Sequence, residues 1–309
     1  MRTAAPRAAI ACLPGGPGVY RFRDERGRAL YIGRAVDLRR RVASYWGELK
    51  GRRHLARMVP QIVGVEAVAC DSAHEAAWLE RNLLEKSKPR WNRARGGAEV
   101  PVYIRLDRRR GLAVVHSADD SGVSTLGVFG PYLGGTQARL AVSALDRVLP
   151  LRYTENGMSG SERDMARARG VALPDREELL AAVTAVLQRQ PAGIESVKRQ
   201  LVSQRDRAAG SLAFELAARI QEEIEAVDWV VAEQKVTLMR PEADCDVYGW
   251  ADGLLIQFEI RQGRLRTWTQ RSCGASLAQD YLARTPEGWR SFAARSAELA
   301  RRLSFACTG

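Results

Sequence analysis

Apolar and polar residues alternate over 19–23 and 29–32, two stretches with the Val, Tyr, Phe and Ile content of half-buried strands. Asp24-Glu25-Arg26-Gly27 lies between them, and Gly27 can take the positive φ of a tight turn. The pattern predicts a β-hairpin, introduced by Pro17-Gly18 and ended by Gly33. The period then changes to that of a helix. Asp37 is a good N-cap for a helix beginning at Leu38, and Leu38, Val42, Tyr45 and Leu49 fall on one face of it. Arg39 and Arg40 point away from that face, as solvated charges do. Arg41 lies on its flank beside Leu38 and Tyr45, where a guanidinium needs an anionic partner.

Residues 63–70 alternate weakly, as a third strand would. Ser72-Ala73-His74-Glu75 has the form of a capping box and opens a helix with Ala76, Leu79 and Leu83 on its apolar face. Glu80 sits at the edge of that face, a place where a carboxylate calls for a cation or a metal. Glu75 and Glu85 read as surface residues, and Pro89 stops the helix. Gly96-Gly97 has the form of a linker, and 101–107 with 112–116 read as a strand pair. From 175 to 233 the pattern is helical, with Leu212, Leu216, Ile220, Ile224 and Val227 in the stripe of a helical hairpin. Residues 240–271 turn β-rich, Gly253 and Gln262-Gly263 marking the turns of a three-stranded meander. A short helix over 289–303 follows. The expected fold class is α+β in four stretches. These are a small antiparallel sheet flanked by helices over 11–96, a connector over 97–155, a helical region over 160–236 and a small β-rich region over 240–309.

Charge sharpens this outline. The formal net charge is +12, and residues 1–110 hold 24 Lys and Arg against 11 Asp and Glu, a local excess of 13. The remainder is close to neutral. The excess coincides with the hairpin and its helix, which points to a polyanion and above all to nucleic acid. Lys50, Arg52, Arg53 and Arg57, with Arg39 and Arg40, are the candidate phosphate contacts. His54 among them reads as a surface residue. The five cysteines, at 12, 70, 245, 273 and 307, have neither metal-ligand spacing nor near pairing, as expected of isolated thiols in a reducing cytoplasm. No apolar run approaches a membrane span. Residues 1–11 read as a disordered tail.

Gly18-Val19-Tyr20, then Tyr31-Ile32-Gly33 after a ten-residue gap, resembles the signature of the GIY-YIG nuclease family. Leu13-Pro14 before it and RAVDLRRRVASYW after it resemble the UvrC branch and its short homologues. The resemblance implies a GIY-YIG nuclease domain over 11–96. The run LERNLLEKSKPRWN resembles the segment that supplies this family with an acidic metal ligand and then an asparagine, which falls here on Glu80 and Asn92. Phe129-Gly130-Pro131-Tyr132 and Leu149-Pro150-Leu151-Arg152 resemble blocks that follow the nuclease module. LAFELAARIQEEI resembles in part the UVR motif, through which a UvrB-type helicase would dock; an ordinary helical hairpin fits those residues equally well. Most full-length relatives continue with a cysteine cluster thought to hold an iron–sulfur centre. Here Tyr153-Thr154-Glu155-Asn156 follows, so no iron–sulfur cluster is expected. The RNase H-like and helix-hairpin-helix modules of longer relatives have no counterpart here.

The chemistry this implies is phosphodiester hydrolysis. Glu80 would hold Mg²⁺ or Mn²⁺, with water completing the shell. Arg41 would neutralise charge on the scissile phosphate. Tyr20 or Tyr31 would accept the proton of the attacking water once nearby cations had lowered a phenol pKa from about 10. Tyr45 would supply a supporting hydroxyl. Relatives usually carry lysine after the YIG glycine; here it is Arg34, expected as a fixed cation beside the Tyr20 and Tyr31 hydroxyls. The function expected is a metal-dependent DNA endonuclease that makes the 3′ incision of nucleotide excision repair. It would be cytoplasmic and nucleoid-associated when on DNA. The alternatives are a catalytically weak DNA-binding or UvrB-docking module, and a structure-specific GIY-YIG nuclease outside excision repair.

Overall fold

A computed structural model describes residues 7–47, 53–93, 99–118, 124–154, 158–169, 175–238 and 244–308. The chain forms two compact units: residues 1–98 together with 233–309, and residues 99–232.

The first unit is built on strands β1 (Gly18–Arg23), β2 (Ala29–Ala35) and β3 (Gly64–Ala69), in the antiparallel order β2-β1-β3. The hairpin expected between β1 and β2 is present. Asp24 Oδ1 accepts from the amides of Arg26 and Arg28, and Gly27 has φ +70°. β1 is the central strand, and residues on both of its faces are buried. Tyr20 and Phe22 face helix α1 (Arg7–Cys12) and helix α2 (Leu38–Ala43), in a core with Leu13, Leu38, Val42, Tyr45, Met58, Leu299 and Leu303. Asp37 caps α2 as expected, accepting from the Arg40 amide at 2.8 Å. α2 ends earlier than its periodicity suggested, and Leu49 lies outside the described residues. Tyr45 stays in the core from the turn that follows the helix. The tail expected over 1–11 is helical from Arg7, because Ala9 packs into this core; residues 1–6 lie outside the described residues.

Helix α3 (Ala73–Lys86) begins where Ser72 Oγ accepts from the Glu75 amide at 2.9 Å. Two surface assignments on it are overturned. Glu75 is fully buried, and its carboxylate accepts from the amides of Asp71 and Lys235 at 2.8 and 2.9 Å. Glu85 is paired with Arg81, Arg264 and Arg266. Asn82 Nδ2 donates to Val236 O and Thr237 Oγ1 at 3.0 and 2.9 Å. The segment after 233 thus returns to the back of α3.

That segment continues as the expected meander, β7 (Cys245–Ala251), β8 (Leu254–Arg261) and β9 (Arg264–Ser272). Positive φ at Asp252-Gly253 and Gln262-Gly263 makes both turns the type that twists with the strands. Helices α9 (Ala275–Ala283) and α10 (Glu287–Thr308) follow; α10 is longer at both ends than the 289–303 expected. Its backbone sits so close to β7 that a Cβ on Gly249 would collide with the Ala293 carbonyl.

The second unit has strands β4 (Pro101–Asp107), β5 (Gly111–Val115) and β6 (Thr125–Leu133), in the order β5-β4-β6. Helices α4 (Gly135–Val148), α5 (Gly160–Arg169), α6 (Arg176–Leu187), α7 (Pro191–Gly210) and α8 (Phe214–Val231) complete it. The Phe129–Tyr132 block lies on β6, and Tyr132 packs on Trp229 with ring centroids 5.8 Å apart. α7 and α8 form the expected helical hairpin. Ile220, Ile224 and Val227 of the stripe are buried, but Leu212 and Leu216 are exposed beside Phe214 at the end of the hairpin.

Candidate active site

Hairpin register brings the two halves of the Tyr/Gly signature face to face, with Tyr20 paired to Gly33 and Phe22 to Tyr31. The glycines are steric requirements. A Cβ on Gly33 would lie 2.5 Å from the Tyr20 hydroxyl oxygen and 2.7 Å from Tyr31 Cε1. A Cβ on Gly18 would lie 2.4 Å from the Val68 carbonyl oxygen. Asn92 is buried and grips the same strand from outside: its Oδ1 accepts from the Ile32 amide at 3.0 Å and its Nδ2 donates to the Ile32 carbonyl at 2.8 Å. It positions β2 through the backbone.

Three phenols meet in the space that Gly33 leaves. The Tyr20 and Tyr45 hydroxyls are 2.6 Å apart, Tyr31 is hydrogen-bonded to Tyr45, and Arg41 Nε donates to the Tyr20 oxygen at 3.4 Å. The Arg41 guanidinium also lies 5.5 Å from the Tyr45 ring centroid. Tyr20 and Tyr45 are buried; Tyr31 is half-buried and reaches the solvent side. Arg41, expected to need an anionic partner, thus faces a cluster of hydroxyl oxygens.

Electrostatics in this cluster run against the expectation of a cation-lowered phenol. Burial pushes the Tyr20 hydroxyl up to about 12, the proximity of Tyr31 adds to this, and Arg41 offsets only part of it. Tyr31 and Tyr45 are also raised, first by burial; the Glu80 carboxylate contributes further at Tyr31. Burial outweighs one half-exposed guanidinium because removing water penalises the phenolate directly.

Glu80 of α3 lies near Tyr31, and its Oε2 is 3.4 Å from Arg34 Nε. The cation beside the Tyr20 hydroxyl is therefore Arg41, while Arg34 faces the carboxylate. Glu80 is partly solvent-accessible and carries the negative charge of this corner. Among the described residues no group of three or more His, Cys, Asp or Glu side chains gathers as a metal cage. A single accessible carboxylate suits a small hard cation that keeps several waters and shares phosphate oxygens, and does not suit a structural zinc. The donor set fits Mg²⁺ or Mn²⁺ at Glu80.

The candidate phosphate contacts are not all gathered here. Arg39 Nε donates to the Leu13 carbonyl at 2.8 Å, and Arg40 and Arg57 are exposed. Lys50 and Arg52, and the side chain of Arg53, lie outside the described residues.

Residues 16–93 match the family described as the UvrC-like GIY-YIG domain. The chain carries a UvrC-like GIY-YIG domain. UvrABC system protein C of Symbiobacterium thermophilum is 33% identical over 273 residues, which cover 83% of this chain and 42% of that protein. The protein of the same name from Chlorobium phaeobacteroides is 30% identical over 311 residues, covering 91% of this chain and 48% of that protein. The likeness therefore runs well beyond residue 93, and this chain spans less than half the length of these two UvrC proteins. The magnesium-bound GIY-YIG N-terminal endonuclease domain of UvrC from Thermotoga maritima is 32% identical, covering 28% of this chain and 96% of that one, at a TM-score of 0.26.

Two features of the UvrC-like domain escaped sequence reasoning. One is the steric role of Gly33, which reads in sequence as a strand end. The other is Arg21, whose Nε is 2.6 Å from Glu66 and whose guanidinium lies 4.0 Å from the Trp268 ring centroid. Its signal was its place: an arginine between two apolar residues of a strand that alternates, facing the side opposite Tyr20.

Proposed function

We propose that this chain is a divalent-metal-dependent endonuclease that nicks one strand of DNA, as in the 3′ incision of nucleotide excision repair. The observation that carries the reading is the line from Glu80 through Tyr31 and Tyr45 to Tyr20 and Arg41, with a carboxylate at one end, a guanidinium at the other and three linked phenols between.

Tyr31 is the phenol that solvent reaches, so it is the proton acceptor for the attacking water. It acts as the phenolate, whose negative charge is shared along hydrogen bonds to Tyr45 and Tyr20 and is faced by Arg41 until the proton of water neutralises it. A cation held by Glu80 would polarise the phosphate and place positive charge beside Tyr31, in the sense that lowers a phenol pKa. Asn92 and Gly33 keep β2 in register so that Tyr31 meets Tyr45. The excess of basic residues over 1–110 would hold the duplex. Residues 153–156 supply no cysteine, so the chain is proposed to work without an iron–sulfur cluster. Chromosomal DNA as substrate would place it in the cytoplasm.

A docking role alongside or instead of cutting is favoured by one observation, the exposed Leu212, Phe214 and Leu216 at the end of the α7–α8 hairpin. They offer a UvrB-type helicase an apolar surface. The experiment that separates the readings incubates the full chain with nicked, bubble and lesion-bearing duplexes. It is run in Mg²⁺ or Mn²⁺ and in chelator, with and without a UvrB-type partner. Metal-dependent nicking of one strand supports the nuclease. DNA binding with no nicking under any of these conditions would leave the docking module.

A further inference from the structure

Two of the arginine–carboxylate pairs on the β1–β2 hairpin differ sharply in how tightly they are made. Arg21 Nε lies 2.6 Å from Glu66, with the side chain nearly closed from water. Arg34 Nε lies 3.4 Å from Glu80, with 37% of the arginine and 22% of the glutamate side chain exposed. The second distance is well beyond the roughly 2.7–2.9 Å of a charge-assisted bond, so the pair is loose. It also involves the one carboxylate of the site. A guanidinium and a divalent cation are competitors for the same oxygens, and a guanidinium in a protein does not lose its charge to make way.

We propose that Arg34 is the counter-ion that holds Glu80 until a DNA phosphodiester arrives, and then exchanges the carboxylate for the phosphate. The proposal rests on reading Glu80 as the metal ligand. The planar fork of Arg34 fits two oxygens of a phosphate better than it fits Glu80 at its present distance. As it leaves, the carboxylate becomes available to the cation. Metal and DNA then raise each other's affinity by the same factor, since the coupling is reciprocal. The consequence for the enzyme is order: the cation is bound weakly on the free protein and firmly once DNA is in place.

The first test measures Mn²⁺ binding to the full chain without nucleic acid, from the paramagnetic signal of the free ion. Arg34→Met keeps the length and removes the charge. It should bind Mn²⁺ roughly three- to ten-fold more tightly than wild type, the scale of an exposed ion pair plus the repulsion it exerts. Glu80→Gln should lose the site. Equal or weaker binding by Arg34→Met, with Glu80→Gln still deficient, overturns the role of Arg34 and leaves the metal ligand standing. Unchanged Mn²⁺ binding by Glu80→Gln overturns the ligand itself, and this proposal with it.

The second test measures affinity for a short duplex in chelator, where no metal takes part. Glu80→Gln takes the competing carboxylate charge away from Arg34, so it should bind DNA several-fold more tightly than wild type. The double variant Arg34→Met/Glu80→Gln should lose that gain. A gain that persists in the double variant comes from the missing carboxylate charge alone and overturns the exchange. Both side chains are partly exposed, so neither substitution leaves a buried group unpaired.

Discussion

The hairpin presents the same pair of groups twice on one face of its sheet, with opposite outcomes. On the central strand Arg21 is locked: Glu66 takes its Nε, the Trp268 carbonyl accepts from its Nη2 at 3.2 Å, and the Trp268 ring lies over it. On the edge strand Arg34 reaches Glu80 through water-accessible space. The chemistry of the two pairs is identical and the surroundings decide their use. Where water is excluded and every donor is satisfied, an ion pair fixes the backbone and breaking it is costly. Where water remains, the pair contributes little stability and its members stay available for a ligand. The protein thus keeps its scaffold charge on the central strand and its working charge on the edge strand of the same sheet face.

The largest effect should come from the open pair. Glu80→Gln is expected to reduce nicking by at least about 10²–10³-fold, the scale of losing a preorganised electrostatic contact, while the melting temperature stays close to wild type. Turnover equal to wild type at saturating Mg²⁺ would erase the distinction between the two pairs. Next is the pH profile. A base must be unprotonated to act, and burial raises the Tyr31 phenol above its ordinary value. Below its pKa in the metal-loaded enzyme the rate follows the phenolate fraction, so it should climb about ten-fold per pH unit through neutrality, the cation at Glu80 setting where the climb ends. A plateau already reached near neutrality would assign the base to another group.

The covered pair should show the reverse behaviour. Glu66→Gln leaves Arg21 enclosed with a weaker partner and should cost about 2–3 kcal/mol of stability, read from denaturant midpoints. Nicking per folded molecule should change little. A stability loss below about 0.5 kcal/mol would mean that the Trp268 contacts alone hold Arg21. The smallest effect is salt dependence. A double-mutant cycle on Arg34 and Glu80 should give a coupling below about 1 kcal/mol that fades in high salt, while a cycle on Arg21 and Glu66 should be larger and nearly salt-independent. Equal salt sensitivity would place both pairs in the same environment.

Much of this was legible in the sequence because it is local. The hairpin follows from alternation and Gly27, the start of α2 from Asp37, the start of α3 from Ser72, and the meander from its two turns. The candidate site was legible as a set of positions, since Tyr20, Tyr31, Arg41 and Tyr45 lie within one hairpin and the turn of chain after it. What was not legible depends on contacts between distant residues. Glu75 looks like a surface residue until the Lys235 amide, 160 positions away, reaches its carboxylate. Glu85 looks solvated until β9 delivers Arg264 and Arg266. The burial of the phenols was not legible for the same reason. Sequence says nothing of how much water Phe22, Leu38 and Met58 exclude from them.

The first unit is interrupted in sequence: its β1–β2 hairpin is complete by residue 35, yet Leu299 and Leu303 belong to the same core as Tyr20. On a ribosome the hairpin emerges some 260 residues before the helix that finishes its packing. Residues 99–232 can close into their own unit during that wait, because all of their partners are already in hand. The phenol cluster meets its final packing only when α10 arrives. A nascent chain that stops short of α10 therefore carries the sequence of the candidate site without its finished walls.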